Sequence, residues 1–223
     1  MGDASVRDQK RRLTREAVLD AAERLLRVDD TASFSMRELA VEAGLSFATP
    51  FNQFGSKVAI AQAISARRID LMSERFRQAN PAGDAVGRVL AAISIAVEVM
   101  LDEPRVNRAV IRSLGTPTAT PGDVSGHSTA LWSTAFGSAE GMDPALSAIA
   151  IRCVPEQLAI AFRGCLSFWI ADEITDAQLP EKARLSAMTV LLGFVAPARR
   201  AQLLAGVDDP GQALAQQSRL AEA

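Results

Sequence analysis

Tyrosine is absent from this 223-residue chain, and aromatic residues of all kinds make up only 5% of it. Alternating runs of Val, Ile and Thr are missing as well. Both absences argue against a sheet-based fold, because strands draw on β-branched and aromatic side chains. Only two cysteines occur, Cys153 and Cys165. They form neither a disulfide framework nor a zinc-binding spacing, so no metal site is expected. Two small buried hydrophobes are the favoured reading, with a redox-sensing pair as the alternative. His127 is the single histidine. Nucleophile elbow, phosphate loop and metal-ligand cluster are all lacking, so no catalytic residue and no cofactor is assigned. Every apolar stretch is interrupted by Arg, Glu or Pro before about 18 residues, so no membrane span is expected. No apolar segment follows the early charges, so no secretory signal is expected either, and a cytoplasmic setting fits.

What is present favours helices. Apolar residues are 48% and charged residues 22% of the chain, enough for a packed core. Ala, Leu, Arg and Glu are abundant, and all are good helix formers. The net charge of -2 does not point to nucleic acid, but its distribution is uneven. Residues 1–80 hold 13 Lys/Arg against 11 Asp/Glu, whereas the remainder holds 11 against 15. Within residues 7–15, Arg7, Lys10, Arg11, Arg12 and Arg15 face only Asp8. Such an arm can neutralise phosphates and release counterions, or serve simply as a solubilising tail.

Residues 1–12 are expected to form a flexible basic arm. A first helix is expected from a Thr14 cap to about Val28, with Ala17, Val18, Ala21, Ala22, Leu25 and Leu26 as its buried stripe. Ser35 and Glu38 have the spacing of a capping box, which starts a second helix ending at Ala43-Gly44. Ser46 is expected to cap a third helix through about Phe54. A linking helix follows over 57–78, and Asn80-Pro81-Ala82-Gly83 marks a domain boundary. Beyond it, helices are expected over 84–101, 104–114, 128–139, 143–171 and 176–196. Pro155 should kink or break the fourth of these. Residues 197–205 can add a turn or two, before a polar tail.

Two capped helices of about eight residues around a glycine turn, over 35–54, have the layout of a helix-turn-helix. An ordinary helical corner has the same geometry. The basic arm and the capping box favour DNA. On the third helix, periodicity groups Phe47, Pro50, Phe51 and Phe54 as a core stripe. That leaves Ala48, Thr49, Asn52 and Gln53 opposite. Asn or Gln can pair with adenine, and Ala or the Thr methyl can meet a thymine methyl. Ser46 and Ser56 leave amides at helix starts where a phosphate is stabilised, and Lys57 adds a charge there.

The order and spacing of Met36-Arg37-Glu38-Leu39-Ala40, Ala43-Gly44-Leu45-Ser46 and Ala48-Thr49-Pro50-Phe51-Asn52-Gln53-Phe54-Gly55-Ser56-Lys57 resemble the tetracycline-repressor-like (TetR) regulators over roughly residues 12–64. The resemblance implies an all-α fold. A helix-turn-helix DNA-binding domain would span 13–58, and a ligand-binding and dimerisation domain 79–223. It also implies a homodimer reading two palindromic half-sites, and a small-molecule effector whose identity the sequence does not give. Residue by residue, Ser35 matches a phosphate contact, and Arg37 a position that reaches a base edge. Phe47, Ala48 and Thr49 match the reading start of the recognition helix. Phe51 and Asn52 stand where Tyr is common, Gln53 where His is common, and Lys57 at the phosphate-binding Lys. Phe51 lacks the hydroxyl that Tyr would offer phosphate, and Pro50 replaces a frequent Leu. Periodicity and resemblance disagree over Phe47 and Phe51, and the resemblance puts both at the groove rim. Arg12 and Arg15 join the DNA set from the basic arm.

Dimerisation would use helices over about 156–171 and 178–196. Ala159, Gly164 and Ser167 would allow close approach, and Phe168, Leu185, Met188 and Leu192 would supply apolar area. Pocket candidates are Met100, Asn107, Ile111, Trp132, Phe136, Phe162 and Leu166. The expected role is a repressor released from operator DNA by its effector. A helical protein-binding adaptor without DNA affinity and an activator on the same fold are the alternatives.

Overall fold

The computed structural model describes residues 3–28, 33–115 and 122–208. Among them are ten helices and no strand, only a single bridge between Met142 and Val195. The helices are α1 (Asp3–Val28), α2 (Met36–Glu42), α3 (Ala48–Phe54), α4 (Lys57–Ala79) and α5 (Ala85–Asp102). They continue as α6 (Pro104–Leu114), α7 (Val124–Phe136), α8 (Ser147–Ile170), α9 (Leu179–Leu192) and α10 (Pro197–Asp208). The expected all-α fold is observed. The chain packs as two units, one of residues 1–68 and 100–124, the other of 69–99 and 125–223.

The first unit is built on the apolar stripe of α1. Val18, Leu19, Ala21, Ala22 and Leu26 pack with Leu39 of α2, with Ile60, Ala61 and Ile64 of α4, and with Val106, Ala109 and Val110 of α6. Around this core runs a charged network. The Glu23 carboxylate, only 6% exposed, accepts from Arg27 (3.3 Å), Arg67 (3.2 Å) and Arg68 (3.1 Å). Glu103 receives Arg27 and Arg68, and Arg67 also pairs with Asp20 and Glu16. The buried Asn107 amide joins in. Its oxygen accepts from Arg68 Nε at 3.1 Å, and its nitrogen donates to the Met100 carbonyl at 2.9 Å.

In the second unit, Trp132, Phe136, Leu158, Trp169, Leu179, Met188 and Leu191 are fully buried. Arg88 of α5 fastens the end of α7 by donating to the carbonyls of Ala135 (3.2 Å) and Phe136 (2.9 Å) and by pairing with Glu140. Asp84 starts α5 by accepting from the Gly87 amide at 2.9 Å. α8 packs along α9. Burial pushes the Cys165 thiol up, which disfavours the reactive thiolate.

Several boundaries differ from the sequence expectations. α1 begins at Asp3, well before Thr14. The Thr14 hydroxyl donates back to the Lys10 carbonyl at 2.9 Å, as a residue inside a helix does, rather than capping a new one. Residues 6–12 of the basic segment are thus helical and exposed. The expected break after Val28 falls mostly outside the described residues, as do much of the loop after Gly115 and the tail beyond Asp208. Asp143 and Pro144 form a turn before α8, with the Asp143 carboxylate accepting from the Ala145 amide at 2.9 Å. Pro155 lies inside α8, which runs unbroken through it. Its buried ring contributes to packing while the missing N–H removes one bond to the Ile151 carbonyl. α9 starts at Leu179 rather than Asp176, because Pro180 suits the first turn of a helix.

Candidate nucleic-acid interface

The segment from Ser35 to Lys57 is defined by local chemistry. The Ser35 hydroxyl accepts from the Glu38 amide at 3.1 Å, and the Glu38 carboxylate accepts from the Ser35 amide at 2.7 Å. The expected capping box is therefore present and starts α2. Gly44 follows α2 with φ +65°, a left-handed conformation that costs an L side chain about 1 kcal/mol or more. It turns the chain so that α3 packs on both α1 and α2.

Ser46 does not cap α3. The N-cap residue is Phe47, and the Ser46 hydroxyl instead pairs with the Thr49 hydroxyl at 2.8 Å. Pro50 falls in the first turn, where its absent N–H would be unpaired anyway. It is also the buried residue of this helix. Phe54 is half-buried, with the Arg15 guanidinium 4.3 Å above its ring in a cation–π contact.

The face that α3 leaves open is not the one periodicity predicts. Phe47 is 63% exposed and Phe51 59%, and Ala48 and Asn52 are exposed with them. Thr49 and Gln53 are half-buried. The open arc is thus rotated by one residue, roughly 100° of helix, from the expected Ala48, Thr49, Asn52 and Gln53. Pro50 and Phe54 take the room available against α1 and α2, so the other two rings stay outside. The placement of Phe47 and Phe51 at the surface agrees with the resemblance, not with the core stripe.

Cations and hydroxyls are exposed in the segments on either side of α3 in sequence. Arg12, Ser35, Arg37, Ser46 and Lys57 are exposed, and Arg15 is half-buried under its stacking contact. The Lys57 ammonium donates to the Phe34 carbonyl at 2.8 Å, which steadies the charge beside the start of α2. An ammonium has three donors, so two remain for an anion. Ser35 accepts in its cap, and its hydroxyl proton remains free to donate outward. The Ser56 hydroxyl caps α4 by accepting from the Ala59 amide at 3.1 Å. Sequence reasoning missed Val41, which is 77% exposed on α2. The signal was there in its spacing, since Arg37 and Val41 are four apart and share a helix face.

The pocket candidates are all buried, but they divide between the units. Met100, Asn107 and Ile111 belong to the first, and Trp132, Phe136, Phe162 and Leu166 to the second. The polar atoms of Asn107 are engaged by Arg68 and Met100 within its own unit. Trp132 and Phe162 meet edge to face, with ring centroids 5.5 Å apart and planes at 66°. His127 is exposed on α7. Of the dimer candidates, Ser167 and Phe168 are exposed, and Gly164, Leu185 and Leu192 are half-buried. Ala159 and Met188 are buried within the second unit, so neither has surface to offer a partner.

Comparison with known proteins agrees with this geometry. Residues 18–64 match the model of the tetR family of bacterial regulatory proteins. No curated protein sequence matches the chain. Among solved structures, a TetR transcriptional regulator from Rhodococcus sp. RHA1 superposes with a TM-score of 0.65 at 22% identity, covering 82% of this chain and 97% of that one. A protein of unknown function from the same organism gives 0.53 at 20% identity, over 82% and 96% of the two chains. A tetR-family transcriptional regulator from Streptomyces coelicolor gives 0.52 at 15% identity, over 95% and 99%. No helix among the described residues is long and apolar enough to cross a membrane. Residues 18–64 are thus similar to the N-terminal domain of the tetR family of bacterial regulatory proteins, and the chain shares the fold of the solved TetR transcriptional regulator from Rhodococcus sp. RHA1.

Proposed function

We propose that this protein is a sequence-specific, DNA-binding transcriptional repressor that acts as a cytoplasmic homodimer and leaves its operator when a small-molecule effector binds. The observation that carries the reading is the open arc of α3. A short helix packed on α1 and α2 leaves Phe47, Ala48, Phe51 and Asn52 exposed, and Arg37 and Lys57 are exposed on the helices before and after it. A helix of this size fits the major groove, with the preceding helix crossing the backbone. In this reading Lys57, Ser35, Arg12 and Arg15 serve phosphates, which fix register without reading sequence. Arg37, Thr49, Asn52 and Gln53 serve base edges.

Residues 13–58 would form the DNA-binding domain, with the basic N-terminal turns of α1 leading into it. Residues 79–223 would hold the effector and pair the protomers. The surface of α8 and α9 at Gly164, Ser167, Phe168, Leu185 and Leu192 suits close helix pairing with a second copy. Trp132, Phe136, Phe162 and Leu166 supply an apolar lining for a ligand. An effector would act by binding more tightly to a conformation whose recognition helices no longer match the operator.

Selection of bound sites from random duplex DNA tests the reading. The expected result is a palindrome with half-sites about one helical turn apart, or a multiple of it. Failure to bind any duplex at low salt would refute it.

A further inference from the structure

We infer that the recognition helix reads A·T pairs at the centre of each half-site, chiefly through the 5-methyl groups of thymine. This rests on the DNA-binding reading above and adds the base composition that the interface accepts.

The sequence of α3, Ala48 to Phe54, contains no Lys, Arg, Asp or Glu. It therefore has no guanidinium or ammonium to pair with guanine O6 and N7, and no carboxylate to accept from cytosine N4. The exposed arc consists of three apolar side chains, Phe47, Ala48 and Phe51, and one amide, Asn52. The thymine methyl is the apolar group that an unmodified base pair displays in the major groove. Set against Phe47 and Phe51, either pair gives up water from its polar edge, but only an A·T pair offers a methyl group in return. Asn52 fits the same pairs, because a carboxamide bonds adenine N6 and N7 together. The apolar and amide members of the arc thus favour the two halves of one base pair.

The neighbouring cations do not change this. Lys57 belongs to α4, where its ammonium is tethered to the Phe34 carbonyl. Arg24 is engaged by Glu42. Arg37 lies on α2, outside the reading helix, so a guanine it selects is read separately from the bases that α3 faces.

The test uses the full chain and the duplexes that it selects from a random pool. A·T pairs should be enriched at the centre of each half-site. Replacing single core thymines by deoxyuridine removes one methyl and keeps every hydrogen-bonding group. Each such change at a contacted base should weaken binding about fourfold, the worth of one buried methyl. Phe51→Ala should weaken binding to the selected duplex and abolish the sensitivity at one thymine, while the salt slope, set by phosphate contacts, stays as it is. A G·C core, or an A·T core indifferent to deoxyuridine, would overturn the inference and leave the DNA-binding reading standing. Absence of binding to every duplex at low salt would overturn both.

Discussion

Removing the Glu23 carboxylate should destabilise the protein by about 2–3 kcal/mol, less than the 3–5 kcal/mol typical of orphaning a buried charge. The difference comes from the surrounding network. Glu23 is 6% exposed and receives Arg27, Arg67 and Arg68. In a Glu23→Ala variant none of these would be left alone. Arg67 keeps Asp20 and Glu16, Arg68 keeps Glu103 and Asn107, and Arg27 keeps Glu103. The loss is then close to that of one charge-assisted hydrogen bond, roughly 1.5–3 kcal/mol, because each guanidinium group tightens on the partners that it keeps. Glu23→Gln retains one acceptor oxygen and should lose about half as much. Arg24→Ala provides the control. Its exposed pair with Glu42 should contribute no more than about 1 kcal/mol. Urea unfolding followed by helical circular dichroism, at one protein concentration for all variants, reads the midpoints. If Glu23→Ala unfolds at the same midpoint as Arg24→Ala, the buried network does not hold α1, α4 and α6 together.

Ser35→Ala should cost about 1 kcal/mol through loss of the helix cap, measured by the same unfolding curves, because Glu38 then loses its reciprocal partner. Lys57→Ala should weaken binding to all duplexes alike and lower the salt slope by about one, whereas Asn52→Ala should relax preference at particular base pairs. Fluorescence anisotropy across salt concentrations and operator variants separates the two, and identical sequence-blind losses would count against the assignment. Hydrogen bonds from the Ser138 hydroxyl and from Arg88 hold the Glu140 carboxyl at about 2, below its ordinary 4.5. The folded form thus keeps the carboxylate to lower pH than the unfolded chain. Its stabilising contribution is complete above pH 4.5 and fades as pH falls towards 2. Acid unfolding of Glu140→Gln should accordingly be less steep over that interval than that of the native chain. The Glu103 carboxyl is lowered in the same sense by the Arg27 hydrogen bond, so Glu103→Gln should change the acid limb in the same direction.

The reading segment was legible because its signals are local. A capping box needs only Ser35 and Glu38, and a left-handed turn needs only Gly44, so both could be placed from neighbouring residues. The open face of α3 was harder. Periodicity identifies a stripe of four bulky residues, but not how many of them the facing helices can accommodate. The core has space for Pro50 and part of Phe54, and that depends on side chains contributed by α1 and α2. Thr14 misled for a related reason. A threonine serves equally as a cap or as a back-bonding residue within a helix, and the outcome depends on whether the turn before it is helical. Asn107 shows the remaining limit. An amide among apolar residues suggests a ligand contact, but its partner is Arg68, which is 39 residues away in sequence. No short-range pattern announces such a pairing.

The composition of the first unit has a bearing on how the protein can be made and divided. Val106, Ala109 and Val110 complete the hydrophobic interior around α1, although they come from beyond α5. During synthesis this interior therefore lacks part of its apolar lining until α6 has emerged. A recombinant fragment cut at the loop after α4 would carry every candidate base contact yet bare a greasy flank where those three side chains belong.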